Sequence, residues 1–338
     1  MRPPDPTSER IPLTIDHAEE GGHLQVASSP MRMVASRGSS KAPRQNGGMS
    51  ASAPITTSVS SRDGTRIGVM KFGRTPQAAP APTLVFLPAL GVPLGYYSGM
   101  LEHWSHTGRH IVAVEQRGMP LTPTSGTRPQ RFGYSTIVRD DLPAVIDSLL
   151  PDSHNYMLVG HSLGGQLALL ATAAGTVTPE AVVAIASGTS SPTAKSTRLG
   201  HVSRRGQVAF IRAVSAALGF WPGHRLGFGG RQPRSLMRDW CYEGVYGRYR
   251  LDGDDTKYES ALRGIRQPVL LLSLEGDPII TQPAAAHLAR RLPAHSEHRR
   301  LTSTRAKAFD HIRWARHEPE TVVSAVENWS RESSEKHP

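Results

Sequence analysis

The chain is 338 residues long, enough for one large domain or one domain carrying an insertion, and its 38% share of hydrophobic residues is low for a chain folded from end to end. Its single cysteine, Cys241, excludes a disulfide framework and a metal site built on several thiolates, and fits a reducing, cytoplasmic setting. The formal charge of +11 comes mostly from arginines scattered along the sequence, without the aromatic interleaving of an RNA-binding sheet, so a solvated basic surface is expected and no nucleic-acid partner.

Residues 1–54 are rich in Pro, Ser, Gly and Arg, show no lasting apolar period and read as a disordered tail. No apolar h-region follows a basic start near the N-terminus, and no run of about 18 apolar residues occurs, so neither a secretory leader nor an integral membrane segment is expected. Met49 stands at the end of the tail, which is expected to be dispensable or to precede a translation start near Met49.

The pattern changes at Thr65. Thr65–Phe72 (TRIGVMKF) alternates as a half-buried strand, and Thr83–Leu87 (TLVFL) is a short apolar run, as in a buried parallel strand. A helix over Gly95–Trp104 and a strand at Ile111–Val114 follow. Ser135 is placed to cap a helix running to Leu150, with Ile137, Val138, Leu142, Val145, Ile146 and Leu149 on one stripe and Pro143 expected to kink or split it. Next come a strand at Tyr156–Val159, a small-residue helix at Leu163–Ala174 and a strand at Ala181–Ala186. Strands alternating with helices at this spacing predict a mostly parallel sheet covered on both faces. From 190 to 262 the alternation breaks: helical stretches Val208–Leu218 and Leu236–Val245 flank a Gly-rich turn, Gly227–Gly230. It resumes with a strand at Val269–Leu274, a helix at Pro283–Leu292, a strand at Glu297–Leu301 and a terminal helix at Thr321–Trp329. The layout expected is a core of 55–189 and 263–338 with a cap insertion at 190–262.

Gly160-His161-Ser162-Leu163-Gly164 fits G-x-S-x-G, and it sits where a buried strand ends and a helix begins. That strand–turn–helix context is what lifts a serine hydroxyl above a sheet edge as a nucleophile. Gly160 and Gly164 remove side chains where backbone would collide, and the helix N-terminus behind the serine favours developing negative charge. His161 is expected to pack at the elbow. A serine needs a base, and such elbows are followed by an acid and then a histidine. Asp277 lies just after the strand Val269–Leu274 and is the acid expected to orient the imidazole, with Glu275 as the fallback. His311, between the last strand and the terminal helix, is the expected base; His317 is its rival, and Asp310 reads as a loop residue. The oxyanion donors expected are the amides of Leu163 and of Leu90, in Pro88-Ala89-Leu90-Gly91-Val92-Pro93, with Ala89 second.

Together these residues resemble the α/β-hydrolase superfamily over about 60–330. Glu115-Gln116-Arg117-Gly118 is similar to that family's Asp-x-Arg-Gly turn, with Glu for Asp, and the resemblance implies a structural role for Arg117. Trp221–Gly230 (WPGHRLGFGG), followed by Arg238-Asp239-Trp240, looks like the cap of a group of bacterial α/β hydrolases, as do Ala89–Pro93 and Tyr96-Tyr97. The resemblance implies a hydrolase and names no substrate. Serine at the elbow argues against haloalkane dehalogenases and epoxide hydrolases, which carry Asp there.

The expected activity is cleavage of an ester or related acyl bond in a small-molecule substrate through an acyl-serine intermediate, without cofactor or metal. A thioesterase or acyltransferase of a biosynthetic pathway is the alternative within the class, and a non-catalytic binding scaffold the alternative outside it. Phe210, Phe220, Trp221, Phe228, Trp240, Tyr242 and Tyr246 are candidates for cap core or for an apolar acyl site, and Trp221, Phe228 and Trp240 are the substrate-binding candidates. Arg204, Arg205, Arg225, Arg231, Arg234 and Arg238 are either a solvated basic face or an attraction for an anionic leaving group; Cys241, with no base beside it, reads as filler. Removal of residues 1–48 is expected to leave folding and ester turnover intact; a large loss of either would contradict the reading of the tail.

Overall fold

A computed structural model gives the fold for residues 54–73, 81–123, 131–150, 155–194, 197–303 and 309–336. The expected tail lies outside the described residues apart from Pro54. The described chain begins with β1 (Ile55–Ser60), β2 (Arg66–Phe72) and β3 (Thr83–Leu87), then α1 (Ser98–Ser105) and β4 (Ile111–Val114). α2 (Tyr134–Thr136) passes through a π turn, Ile137–Asp141, into α3 (Leu142–Leu149). Then follow β5 (Tyr156–His161), α4 (Leu163–Ala173) and β6 (Ala181–Ile185).

The cap holds α5 (Arg198–Leu218), β7 (Phe220–Pro222), α6 (Gly223–Leu226), β8 (Arg231–Pro233), α7 (Arg234–Tyr246) and the start of α8 (Tyr258–Arg263). The core resumes with β9 (Val269–Leu274), α9 (Gln282–Ala289), β10 (Glu297–Leu301), α10 (Trp314–His317) and α11 (Pro319–Lys336). The eight core strands form one sheet in the order β1-β2-β4-β3-β5-β6-β9-β10. β2 runs antiparallel to β1 and β4, and every pairing beyond β4 is parallel.

Period-two alternation divides the strand residues between two apolar layers. Leu84, Phe86, Met157, Val159, Leu270 and Leu272 pack on one side with α1 and α11. Val85, Leu87, Leu158, Val182, Ala184 and Leu271 pack on the other with α3, α4 and the cap. β3, β4, β5 and β9 are buried at every position, which is why they appear in the sequence as runs dominated by apolar residues. β1 had no such signal: it is an edge strand whose sequence, ITTSVS, buries only Val59.

Three expectations need correction. The helix expected from Gly95 begins at Ser98, after a 3-10 turn at Leu94–Tyr96. The helix expected to be capped by Ser135 starts two residues earlier, with Gly133 at its N-cap, and is capped from a distance. Tyr134 N–H donates to Asp239 Oδ2 of α7 (2.9 Å), while Ser135 Oγ–H turns away to the Asp252 carbonyl (2.7 Å). Cap helix α5 begins at Arg198 rather than Val208, with Thr197 Oγ1 accepting from Gly200 N–H (3.1 Å). Its exposed first turns carry no apolar stripe to reveal them. The π turn meets the expectation for Pro143: the ring nitrogen has no hydrogen for the ordinary ladder, and Leu142 N–H bonds Ile137 C=O instead.

No helix among the described residues is long and apolar enough to cross a membrane. Cap and core are continuous within one unit, Ser50–Pro338. Asp239 is one of their fasteners, and burial raises its carboxyl pKa to about 6 against the opposing pull of the Tyr134 amide. A carboxyl raised on folding contributes most below the ordinary carboxylate range, and that contribution is lost as pH rises through about 6. Asp239→Asn should flatten this step in a series of unfolding curves against pH. Asp239→Ala should lower stability by about 1–2 kcal/mol at all pH values, as loss of a helix cap does; identical curves for all three proteins would contradict the role.

Candidate active site

Three loops at the carboxyl ends of β5, β9 and β10 bring the expected catalytic side chains together. β5 ends in a turn so tight that Ser162 has φ 54° and ψ −114°, outside the usual region for a residue with a side chain. Close approach makes that possible. A Cβ on Gly160 would lie 2.2 Å from the Gly164 backbone, and one on Gly164 would lie 2.2 Å from the Leu87 carbonyl. Ser162 N–H donates to Ile185 C=O (2.8 Å), and Ser187 Oγ–H donates to the Ser162 carbonyl (2.8 Å).

Ser162 Oγ–H faces His311 Nε2 at 3.0 Å, and His311 Nδ1–H donates to Asp277 Oδ2 at 2.7 Å. Asp277 Oδ1 accepts from the amides of Ile279 and Ile280, both at 2.8 Å, so the carboxylate is fixed from both sides in a buried position. The rivals lie elsewhere. Glu275 is exposed and pairs with Arg300 (3.1 Å), and His317 is exposed at the end of α10. Asp310 accepts from the Ile312 and Arg313 amides (3.0 and 2.7 Å), closing the turn that carries His311.

Of the two candidate oxyanion donors, Ala89 N–H is occupied: it donates to Tyr97 Oη (3.2 Å). The amides of Leu90 and Leu163 donate to no acceptor among the described residues, and both residues line the cavity beside Ser162. The loop that carries Leu90 is held from several directions. Gln116 Nε2–H donates to the Pro88 carbonyl (3.0 Å), and Leu94 N–H donates to Glu115 Oε1 (2.9 Å). Glu115 is therefore a loop clasp, with burial raising its pKa. Arg117 is structural, pairing with Asp141 (2.6 Å) and Asp63 (2.5 Å). From above, Gly91 at φ 69° touches the cap: a Cβ there would lie 2.2 Å from the Gly229 carbonyl.

Tyr97 and His161 link these loops, a role the sequence did not single out. Tyr97 Oη and His161 Nδ1 are hydrogen-bonded at 2.7 Å, and Trp314 Nε1–H donates to His161 Nε2 (3.4 Å). The His161 and His311 rings lie 5.1 Å apart. Burial, with His311 as a secondary influence, holds His161 well below the ordinary histidine range and so neutral. A neutral ring there adds no charge beside the candidate base.

The cavity over Ser162 measures about 500 Å³. Phe228 and Trp240 line it, as expected; Trp221 does not. Trp221 is buried in the cap, where its Nε1–H donates to the Phe228 carbonyl (2.7 Å) and holds the Gly-rich turn. Phe210 and Tyr246 are exposed on the outside of the cap. Among the arginines considered, Arg204 alone lines the cavity; Arg205, Arg225, Arg231, Arg234 and Arg238 are exposed. Cys241 is buried, its thiol pushed up to about 12 by burial. A larger depression of about 800 Å³ around Arg117 and Phe132 contains neither Ser162 nor His311. Among the described residues no three metal-ligating side chains converge.

The chain belongs to the alpha/beta hydrolase family, whose model matches residues 84–323. Comparison with curated proteins gives no match. Among solved structures, alpha/beta hydrolase domain-containing protein 10 from mouse is similar at 15% identity and TM-score 0.56, over 82% of this chain and 99% of that one. A thioesterase domain from the curacin biosynthetic pathway is similar at 14% identity and TM-score 0.54, over 82% and 100%. E-2-(acetamidomethylene)succinate hydrolase is similar at 19% identity and TM-score 0.51, over 82% and 98%. At these identities the likeness is one of fold.

Tyr97→Phe should leave the Ala89 amide and His161 Nδ1 buried without their partner, at about 1–3 kcal/mol for each. The thermal midpoint should fall, and Ser162 should react about tenfold more slowly with a fluorophosphonate. Wild-type values for both would show that the link positions nothing.

Proposed function

We propose that the protein is a serine hydrolase that cleaves an ester or related acyl bond through an acyl-enzyme. The observation that carries this reading is the unbroken hydrogen-bonded line Ser162–His311–Asp277, at 3.0 and 2.7 Å, beside two unengaged amides. His311 Nε2 removes the Ser162 proton as Oγ attacks the acyl carbon. Asp277 keeps the other ring proton on Nδ1 and balances the imidazolium that forms. The Leu163 and Leu90 amides donate to the carbonyl oxygen as it gains charge, aided by the N-terminus of α4. His311 then returns its proton to the leaving group, and the same ring activates water to release the acid. None of these steps calls on a group outside the chain other than substrate and water. The buried, unpaired Cys241 fits an enzyme of a reducing compartment such as the cytoplasm.

Ser162→Ala should abolish both turnover of an activated ester and labelling by a fluorophosphonate; retained turnover would refute the assignment. Asp277→Asn, which keeps the shape and loses the charge, should lower kcat by about 10⁴-fold. A set of matched oxyesters and thioesters of increasing chain length, ranked by kcat/KM, separates an esterase from a thioesterase.

A further inference from the structure

The cavity over Ser162 is walled largely by apolar and backbone groups, and among the described residues one cation stands on its wall. Arg204 projects from α5 and is held in place there. Its Nε–H donates to the Ser190 carbonyl (2.9 Å) and its Nη1–H to Gln207 Oε1 (2.5 Å). Its guanidinium lies 5.5 Å from the centre of the Trp240 ring. Ser190, Gln207 and Trp240 line the same cavity.

What the guanidinium lacks is an acid. Its Nη2 has no acceptor among the described residues, and none of its nitrogens forms an ion pair there. The carboxylate that influences it, Glu243, is already engaged: Thr189 Oγ1–H and Ser190 N–H donate to it, and Arg291 Nη1 lies 3.7 Å away. Among the described residues, His311 is the other titratable side chain that lines the cavity. Burial disfavours the charged form of Arg204, so the charge is partly stripped of water and incompletely answered by the protein. A fixed, planar guanidinium with a free N–H edge matches a carboxylate. One free edge with a single charge suits a monoanion; a phosphate dianion calls for further cations, Arg204 is the one guanidinium on the wall among the described residues, and the N-terminus of α4, which also borders the cavity, lies beside Ser162 where the acyl oxygen is placed.

We propose that Arg204 binds a carboxylate of the substrate, so that the acyl compound hydrolysed carries an acid group besides the bond that is cleaved. The site thereby favours half-esters or related acyl derivatives of diacids over neutral esters. This rests on the serine hydrolase reading of Ser162. Gln207 and the Trp240 face position the guanidinium, and the apolar wall accommodates the chain between the acid and the scissile carbonyl.

The test compares mono-p-nitrophenyl esters of adipic, pimelic and suberic acids with the corresponding mixed methyl diesters, which have the same reacting group and no charge. The wild-type protein should favour the acid at one chain length or more by about tenfold in kcat/KM, with the difference mainly in KM. Arg204→Gln should bring that ratio close to one, and Arg204→Lys should leave an intermediate ratio. A general loss of folding lowers turnover of both substrates together and leaves the ratio unchanged, so the ratio reads recognition alone. Equal kcat/KM for acid and neutral forms at every length, or an unchanged ratio in Arg204→Gln, would overturn the proposal while leaving the hydrolase reading standing. Failure of every ester, together with no fluorophosphonate labelling of Ser162, would remove the hydrolase reading and this proposal with it.

Discussion

The site depends on one backbone reversal. Ser162 stands at φ 54°, a conformation that costs a residue with a side chain about 1–3 kcal/mol and persists only where its surroundings enforce it. Here β5 and α4 enforce it. The backbone of Gly160 presses on Gly164, and Gly164 presses on the end of β3, leaving no room for a gentler turn. The neighbouring strand takes part as well, since Ile185 C=O accepts the Ser162 amide and Ala186, just beyond it, is the other non-glycine residue with positive φ among the described residues. Because the chain turns so sharply, the serine oxygen clears the sheet edge. Among the described residues the Leu163 amide has no acceptor, and β9 and β10 deliver Asp277 and His311 from adjacent loops.

A reversal of this kind is of use only if the facing loop stays still. The Pro88–Pro93 loop has no regular structure along its first half, so its position is set by three side chains and one stretch of backbone. Gln116 and Glu115 hold its two ends, Tyr97 takes the Ala89 amide, and the Gly229 backbone covers Gly91. The Ala89–Tyr97 bond leaves Leu90 as the free donor. Tyr97 also reaches His161, the residue before Ser162, and His161 sits against Trp314 and the His311 ring. The elbow, the Pro88–Pro93 loop and the loop that carries His311 are thus joined by one buried, neutral polar chain. The cap is part of the same construction: its Gly-rich turn roofs the loop, Asp239 ends a core helix, and Arg204 reaches into the cavity.

Much of this was legible in the sequence for a physical reason. β3, β4 and β9 are buried throughout and almost wholly apolar, so they were delimited to the residue, while β10 (EHRRL), with no fully buried residue, was placed by context. Ser162, Asp277 and His311 were each expected on a loop after a strand at one sheet edge, with Glu275 set aside as too near the strand end and His317 as too near the terminal helix, and the structure brings the three together. What escaped was long-range or one-sided. β1 and the first turns of α5 lie against solvent and carry little apolar signal. Ser135 satisfies a capping pattern, yet the helix amide is met by Asp239, 105 positions away. Trp221 and Trp240 look alike in the sequence, but only the path of the Gly-rich turn decides which indole faces the cavity. Arg204 had no mark to distinguish it among the cap arginines until the tertiary structure placed it beside Trp240.

The most direct measurement is capture of the acyl-enzyme. The protein is mixed briefly with p-nitrophenyl acetate, quenched in acid, digested and mapped by mass spectrometry. One acetyl group on the peptide bearing Ser162, formed at the rate of the p-nitrophenol burst and absent from Ser162→Ala, is the result the account predicts. Turnover with the acetyl group on another residue, or turnover that persists in Ser162→Ala, would contradict it.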